Sequence, residues 1–174
     1  TQPAQSIDAL VRSGTLRSLG AARVSFRHDV LREWAIACAL REDTSLLDQL
    51  DLSRSAPATH ARGTEIVARM MLESAADGAQ WMNLLARLSG DEVHKSWRRA
   101  ALLAPARSEA AQALLPRIQS ILFSDRAALL RELLRTVMAV EVVPASKVFT
   151  AAGVDPNLIP AGLMIPKWPA WLDL

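Results

Sequence analysis

The sequence predicts a mainly α-helical protein with one β-hairpin near its N-terminus. Hydrophobic residues make up 51% of the 174 positions and aromatic residues only 5%. Much of the hydrophobic fraction is alanine and leucine, which favours close-packed helices over a sheet. Apolar residues recur at helical spacing through most of the chain, while one short segment alternates as a half-buried strand does. A chain of this length can bury roughly 70% of its unfolded surface, which is enough for a real core.

The first elements are expected to be a short helix and a hairpin. Ser6 is placed to cap the helix and Gly14 to end it, because glycine tolerates the left-handed conformation found at many helix ends. The inward positions of this helix are then Ile7, Leu10 and Val11. Residues 15–27 predict the hairpin, with its turn near Gly20 and Ala21.

The strand pattern changes to a helical one at His28. Val24 and Phe26 alternate with polar residues, whereas from Asp29 to about Arg41 the apolar residues follow a helical period. The predicted apolar stripe of this helix consists of Leu31, Trp34, Ala35 and Cys38. His28 therefore stands at a helix N-terminus, where unpaired backbone N–H groups and the helix dipole favour an anion such as phosphate. The alternative is that His28 only caps the helix or pairs with a nearby backbone carbonyl.

The following hundred or so residues are expected to form successive helices with short connections. A short helix around 45–50 precedes a loop at 53–59. Five further helices are marked by apolar residues at helical spacing: Ile66, Val67, Met70 and Met71; Trp81, Leu84, Leu85 and Leu88; Val93, Trp97, Ala101 and Ala104; Leu114, Leu115, Ile118, Ile121 and Leu122; and Leu130, Leu133, Leu134, Val137 and Met138. These side chains are expected to form the core rather than to line a ligand site.

Particular residues predict where these helices begin and end. The Ser-Gly pair at 89–90 closes the second helix, and Pro105 ends the third. Pro116 should kink or restart the fourth, because proline lacks the amide hydrogen and clashes with the preceding turn. The Ser-Asp pair at 124–125 is placed to cap the fifth. Paired helices at a spacing of roughly 40 residues are typical of HEAT or armadillo solenoids, but no motif repeats, so an irregular array of that type is predicted.

The sequence thus divides into three regions. Residues 1–42 give helix, hairpin and helix, the order found in the C-terminal part of a winged-helix domain, and residues 43–143 give the helical-repeat-like array. Residues 144–174 are rich in proline and tryptophan, with Pro156, Pro160, Pro166, Pro169, Trp168 and Trp171. Proline at this density prevents a regular helix and favours extended segments. This region is expected to be a connector packed over the helices, or a docking segment for a following domain.

The residues around His28 carry a family resemblance. The pattern F-x-H-x-x-x-x-E-[aromatic]-x-x-A-x-x-L is matched by Phe26, His28, Glu33, Trp34, Ala37 and Leu40. It resembles the end of the winged-helix domain in NACHT-type signalling ATPases. Residues 27–32 also resemble the Met-His-Asp motif of NB-ARC proteins, with Arg27 where methionine usually stands, which favours the NACHT-like branch. Both belong to the STAND class of ATP-driven switch proteins.

The resemblance implies roles for two residues. In STAND proteins the histidine contacts the β-phosphate of bound ADP and holds the protein inactive, so His28 would be the phosphate sensor and Asp29 would support the same corner. The parent protein would be an ATPase that uses ADP or ATP with Mg²⁺, oligomerises on activation and serves bacterial defence or signalling. Its ATPase domain would pack on this part of the same chain, and the helical array would recognise a protein trigger.

The chain itself lacks the sequence motifs of a nucleotide or catalytic site. It has no G-x-x-x-x-G-K-[ST] loop, and its 7 glycines are scattered. His28, His60 and His94 lie far apart, and the group Asp91, Glu92 and His94 lacks the spacing of metal ligands. We therefore expect no catalytic residues, metal or cofactor in this chain, which the sequence predicts to be a fragment of a longer protein.

Composition and charge predict a cytoplasmic protein without a membrane or nucleic-acid partner. Cys38 is the only cysteine, cannot form an internal disulfide and is expected to be a small buried hydrophobe. No apolar run approaches the roughly 20 residues of a membrane span, and no secretory segment is found. The formal net charge is +2, and the only tight basic group is Lys95, Arg98 and Arg99, which disfavours a nucleic-acid surface.

Three functions stay open on the sequence alone. The first is the regulatory, sensor-side part of a STAND NTPase, reporting nucleotide state through His28. The alternative is a helical scaffold that binds partner proteins and has no link to nucleotide. A third and weaker alternative is DNA binding by the winged helix. A phosphate loop in the upstream coding sequence would separate the first two.

Overall fold

The computed structural model describes residues 2–20, 23–74, 77–140 and 142–167. Within these ranges the chain is mainly helical and carries two small antiparallel sheets of two strands each. The helices and strands in chain order are α1 (Gln2–Arg12), β1 (Leu16–Gly20), β2 (Arg23–Phe26), α2 (Asp29–Glu42), α3 (Ala58–Ser74), α4 (Ala79–Arg87), α5 (Lys95–Leu102), α6 (Ala104–Arg107), α7 (Ala111–Val140), β3 (Val142–Pro144), α8 (Ala145–Ala151) and β4 (Met164–Pro166). Short 3₁₀ helices occupy Thr44–Gln49 and Pro156–Leu158. The predicted class, mainly α with an N-terminal hairpin, is confirmed.

The N-terminal elements follow one another in the predicted order of helix, hairpin and helix. Strands β1 and β2 pair antiparallel, with Leu16 opposite Phe26. Gly14 follows α1 with a φ of +77°, a left-handed conformation that glycine adopts without strain, so its predicted place after the helix end is confirmed. Gly20 also has a positive φ at the end of β1, whereas Ala21 lies outside the described residues.

Helix α1 differs from the prediction at its start and on its inward face. It begins at Gln2, so Ser6 lies inside the helix rather than at its N-cap. Pro3 does not prevent this start, because proline is tolerated in the first turn, where an amide hydrogen has no helical partner. Ile7 and Leu10, expected to point inward, are 42% and 41% exposed. Among the described elements α1 packs mainly on β1, and this contact leaves much of its apolar face exposed.

Helix α2 spans Asp29–Glu42, as predicted, but buries a different face. Its buried residues are Ala37 and Leu40, whereas Trp34 is 47% exposed. Cys38, predicted to be a buried hydrophobe, is exposed as well. The other two residues of the predicted stripe are only half-buried. The apolar stripe predicted for α2 is therefore not the buried face of this helix.

The close approach of α3 explains the change of face. A Cβ atom added at Gly63 of α3 would lie 2.6 Å from Cγ2 of Ile36 and 3.1 Å from the carbonyl oxygen of Glu33. No real side chain fits in that space, so α2 and α3 approach most closely where α3 has no side chain. Packing density at this contact outweighs the size of the side chains in setting the rotation of α2.

Helix α3 is the centre of the core. It packs against α2, α4, α5 and α6, and residues 63–68 are buried without a break. Because successive helical residues turn by about 100°, such a run means that every side of the helix is covered. Ile66, Val67 and Met71 are buried as predicted, and Met70 is half-buried.

The predicted faces of the next helices are largely confirmed. The four apolar residues of the second predicted helix, at α4 and its C-cap, are almost fully buried: Trp81, Leu84, Leu85 and Leu88. The indole N–H of Trp81 donates to the carbonyl of Ala101 at 3.0 Å, and that of Trp97 donates to the carbonyl of Arg54 at 3.0 Å, so neither buried donor lacks a partner. On the second half of α7, Leu133 and Val137 are buried but Met138 is 50% exposed, contrary to prediction.

The two helical prolines act differently from the prediction. Helix α5 ends at Leu102, and Pro105 lies in the first turn of α6, where proline is tolerated. The expected kink at Pro116 is wrong, because the interruption of α7 lies at residues 124–127 instead. There the backbone leaves the helix at Ser124, and the next three residues have φ between 45° and 58°. The fifth predicted helix thus begins after this break, and the Ser124 hydroxyl, predicted to help cap it, instead donates back to the carbonyl of Ile121 at 2.7 Å.

Residues 142–167 contain more regular structure than their prolines predict. Helix α8 follows β3 directly, and β3 pairs antiparallel with β4. The prolines stand at element ends, with Pro144 at the N-cap of α8 and Pro156 in the first turn of a 3₁₀ helix. Helix α8 lies before the proline-dense stretch, whose described part, residues 156–167, holds only the 3₁₀ helix and β4, as the prediction that proline prevents a regular helix there requires. Trp168 and Trp171 lie outside the described residues.

Candidate functional site

His28 occupies the corner between strand β2 and helix α2, as the sequence predicts. Its backbone is extended, with φ −122° and ψ 138°, and it is the N-cap residue of α2. The carbonyl of His28 accepts from the amide of Leu31 at 3.2 Å. The side chain, in contrast, makes no capping hydrogen bond and is exposed. The alternative in which the imidazole serves as the helix cap is therefore wrong.

Asp29 begins α2 and pairs with a residue of its own helix. Its carboxylate Oδ1 lies 3.5 Å from Nη1 of Arg32, one helical turn further on, and its side chain is 75% exposed. Arg32 in turn donates from Nη2 to the hydroxyl of Ser25 on β2 at 3.2 Å. Asp29, Arg32 and Ser25 thus form a polar chain that ties the first turn of α2 to the hairpin. We name these three residues the corner chain.

Sequence reasoning missed Arg32 as a member of this corner. The signal was present, since Asp29 and Arg32 stand three residues apart, a spacing at which side chains of a helix meet. Arg27 directly precedes His28, and its backbone amide donates to the carbonyl of Thr15 at 3.0 Å. A Cβ atom added at Gly14 would lie 3.6 Å from Nη1 of Arg27, which places that guanidinium beside the turn after α1.

The electrostatics of the corner favour an anion. The N-terminus of α2 presents free N–H groups and the positive end of the helix dipole. The first 32 residues carry five arginines against two acidic residues, whereas the chain as a whole has 20 basic and 18 acidic residues. His28 can donate an N–H to a phosphate oxygen from the same place. These groups can hold part of a phosphate, but by themselves they do not enclose a nucleotide.

No protein-family model matches this chain. A comparison with curated proteins finds no match either. The chemistry of the His28 corner and the packing of the helices are therefore the observations that bear on function.

The other polar residues singled out in the sequence do not come together with His28. His94 is the N-cap of α5, where its ring Nδ1 accepts from the amide of Ser96 at 3.3 Å. His60 packs edge-to-face on Trp97, with ring centroids 6.2 Å apart. In the part of the chain that the structure describes, no three His, Cys, Asp or Glu side chains are grouped so that they could hold a metal ion. In that same part, every helix is too short or too polar to cross a bilayer.

The predicted basic group on α5 is partly neutralised. Arg98 donates to both carboxylate oxygens of Glu132, at 2.7 and 2.8 Å, and Nη1 donates to the carbonyl of Leu85 at 2.9 Å. This geometry is the bidentate pairing that guanidinium and carboxylate groups favour. Arg98 therefore joins α5 to α7 and to the end of α4 and does not present a free cation. Its neighbour Arg99 is exposed.

Proposed function

We propose that this chain is the regulatory, sensor-side part of a STAND-class nucleotide switch. In this proposal residues 1–42 are the end of a winged-helix domain, and His28 reports the phosphate of bound ADP. The observation that carries the proposal is the exposed His28 imidazole at the N-terminus of α2, without a capping bond. A histidine kept only to cap the helix would have its ring on the backbone amides, as His94 has at α5.

His28 would act by favouring one of two states of the switch. In the closed state its N–H donates to the terminal phosphate of ADP, and the α2 dipole supports the same charge. A hydrogen bond to a charged group contributes about 1.5–3 kcal/mol, a factor of about 10 to 150 in the closed–open balance. A ligand shifts an equilibrium only by its difference in affinity for the two states, so this bond would set how firmly ADP holds the protein inactive. Asp29 would keep the corner in place through the corner chain.

The remaining parts of the protein have roles in the same proposal. The ATPase domain of the same chain, with ADP or ATP and Mg²⁺, would cover the large apolar side chains that the N-terminal elements leave exposed: Ile7, Leu10, Leu19, Val24, Val30 and Trp34. The helical array of HEAT/armadillo-like type would recognise a protein trigger. The parent protein would be cytoplasmic, would oligomerise on activation, and would serve bacterial defence or signalling.

The test is the release of ADP from the intact protein. His28→Ala should speed ADP release and raise basal, trigger-free output, and Asp29→Val should act in the same direction. His94→Ala is the matched control, because it removes a histidine that caps another helix. Faster release in His28→Ala but not in His94→Ala supports the proposal. Unchanged release in both contradicts it.

The chain alone gives a second test. Without a phosphate loop and magnesium-binding acids it should neither hydrolyse ATP nor bind it tightly. Calorimetry should show no micromolar binding of ATP to the isolated chain. Micromolar binding would mean that a nucleotide site exists on these 174 residues and that the division of roles proposed here is wrong.

The exposed apolar side chains also favour the second candidate, a scaffold that binds partner proteins without any link to nucleotide. Val30 and Trp34 lie on one side of α2, four residues apart, and are 53% and 47% exposed. Large apolar residues that are left uncovered close together often mark a protein interface. Unchanged ADP release in His28→Ala would place this candidate ahead.

A further inference from the structure

A second polar feature lies at the end of α2 that is opposite to His28. It is a surface hollow of about 300 Å³ bounded by the last turn of α2, the 3₁₀ helix that follows it, α3 and α4. Five polar side chains line it: Arg41, Thr44, Gln80, Asn83 and Arg87. We name this feature the α2–α4 hollow.

Helix α4 supplies the longest polar side of the hollow. Gln80, Asn83 and Arg87 stand three and four residues apart, so they share one face of the helix. The side of α4 that carries Trp81 and Leu85 is buried in the core. The packing of α4 therefore fixes where its polar face lies.

Most of these polar groups have no partner in the part of the chain that the structure describes. The carboxamides of Gln80 and Asn83 and the hydroxyl of Thr44 make no hydrogen bond to a described residue. Arg41 donates once, from Nη1 to the carbonyl of Met70 at 3.3 Å, and forms no ion pair with a described residue. These donors and acceptors can therefore engage a ligand without breaking a contact within the described fold.

The charges at the hollow favour a ligand with one negative charge. Arg87 pairs with Asp48, whereas Arg41 has no carboxylate partner among the described residues. The described lining itself contains no acidic side chain. One guanidinium suits one carboxylate, which it can bind through two parallel N–H···O bonds. A phosphate group, with a charge of about −1.5 to −2 at pH 7, would not be neutralised by this single cation.

The hollow also has an apolar side. Met71 of α3 and Leu84 of α4 are 5% and 2% exposed and line the same space. A methionine side chain adapts to the shape of an apolar group placed on it. Small-molecule sites combine such an apolar lining with a few converging polar groups, and this volume is at the lower end of their range.

The two carboxamides indicate the third part of the ligand. A carboxamide has one acceptor oxygen and two N–H donors, so it can pair with both the N–H and the carbonyl of an amide. Gln80 and Asn83 present two such groups side by side, between the guanidinium of Arg41 and that of Arg87 in the lining. An amide next to a carboxylate and an apolar side chain would use every kind of group that the hollow offers.

We propose that the α2–α4 hollow binds a terminal carboxylate joined to an amide and a compact apolar side chain, the chemistry shared by a peptide C-terminus and a free N-acyl amino acid. Arg41 holds the carboxylate, and Gln80 and Asn83 bind the amide. The apolar side chain lies on Met71 and Leu84. The site goes beyond the nucleotide proposal and does not depend on it, because no residue of the His28 corner lines the hollow.

Two carboxylates and their amides test the proposal. N-acetylleucine and an acetylated five-residue peptide that ends in leucine are titrated separately into the chain, and binding is followed by calorimetry and by amide shifts of α2 and α4. Binding of either at millimolar concentration or tighter supports the site, and the tighter of the two identifies the source of the ligand. The corresponding C-terminal amides should bind about tenfold more weakly or worse, because they lack the charged group. Absence of binding of both carboxylates up to about 10 mM, or equal binding of the amides, overturns the proposal.

Substitutions then locate the site. Arg41→Ala should weaken N-acetylleucine about tenfold or more and leave the weaker binding of its amide unchanged, a difference that a general loss of structure would not give. Asn83→Ala should weaken the acid and the amide by the same factor, because both carry the acyl amide group. Arg131→Ala is the matched control, an exposed arginine on α7 that does not line the hollow, and it should leave binding unchanged.

Thermal unfolding checks that the variants stay folded. Arg41 and Asn83 are exposed, so their loss should leave the unfolding transition in place. Equal weakening by Arg41→Ala and Arg131→Ala, or no weakening by Arg41→Ala, overturns the assignment.

Discussion

The N-terminal elements and the helical array bury their apolar residues to very different degrees. Among residues 5–20 and 23–36, whose burial is described, Leu16 is the one hydrophobic side chain that is buried, whereas the main core cluster runs from Ala37 to Val137. The array is therefore stabilised by its own core, and the N-terminal elements are held mainly through α2. Packing therefore explains the residues of the helical array. The exposed apolar residues of the N-terminal elements are instead typical of a surface that contacts a ligand or another protein surface.

The same substitution in the two regions gives the largest contrast. Leu85 is 1% exposed on α4, and Leu10 is 41% exposed on α1. Leu85→Ala should lower the free energy of unfolding by about 2–5 kcal/mol, the cost of lost burial plus the cavity left behind. Leu10→Ala should change it by less than about 0.5 kcal/mol. Denaturant unfolding of both variants measures this, and similar losses would mean that α1 is packed as tightly as α4.

The contact that joins the two regions should be the next most sensitive. Gly63→Ala should destabilise the chain by about 1–3 kcal/mol, although alanine favours helices, because the added methyl group meets Ile36 and the backbone of Glu33. Gly90 supplies the control, since a Cβ there would meet only Val93, at 3.7 Å. Gly90→Ala should be neutral or slightly stabilising. A neutral Gly63→Ala in thermal unfolding would show that α2 and α3 are not in close contact.

A smaller effect is expected at the corner chain. Arg32→Ala removes the links from Arg32 to Asp29 and Ser25, and its global cost should stay below about 1 kcal/mol because the pair is exposed. Local opening of the hairpin should increase all the same. Amide hydrogen exchange should become faster in β1 and β2 and stay unchanged in α3. Arg17→Ala, in the same hairpin, is the control. Equally faster exchange in both variants would mean that the corner chain does not stabilise the hairpin.

The smallest effect concerns acid stability just after α2. A hydrogen bond from the Ser45 side chain, followed by one from its backbone, holds the pKa of Asp43 below its usual 3.8. A carboxyl whose pKa is lower in the folded state stabilises the fold above the unfolded pKa, and this contribution is lost as pH falls through the folded pKa. Asp43→Asn should therefore reduce the free energy of unfolding slightly at pH 7, where the wild-type carboxyl is ionised. It should make little difference at a pH below the folded pKa of Asp43, where the carboxyl is protonated in both states. Denaturant unfolding of both proteins over a pH series measures this, and a stability difference that stays the same from neutral to acid pH would contradict it.

The sequence predicts the elements better than it predicts their faces. Apolar spacing located α2 to α5, and the buried side of α4 was correct, because Trp81 and three leucines dominate that helix. For α2 the same reasoning chose the wrong side. The face of α2 is decided by Gly63, 21 residues after its last residue, which no local pattern within α2 can show.

The candidate sites differ in the same way. The change of period at residue 28 is local, so the position of His28 at a helix N-terminus could be predicted from neighbouring residues. The corner chain adds Ser25 from a neighbouring strand, and Arg98 of α5 meets Glu132 of α7. Such groupings depend on how helices pack against each other. Sequence spacing alone does not contain that information.

Helix α2 also has a mechanical consequence. With 14 residues it is about 21 Å long, and it begins at the N-cap His28. Near its middle it packs closely against α3 at Gly63, where a Cβ atom would lie 2.6 Å from Cγ2 of Ile36. A tight contact at that point acts as a fulcrum, because closely packed helices move as rigid rods rather than bend. A small displacement of the His28 end would then tilt α2 about its contact with α3, and the other end of α2 would move relative to the core.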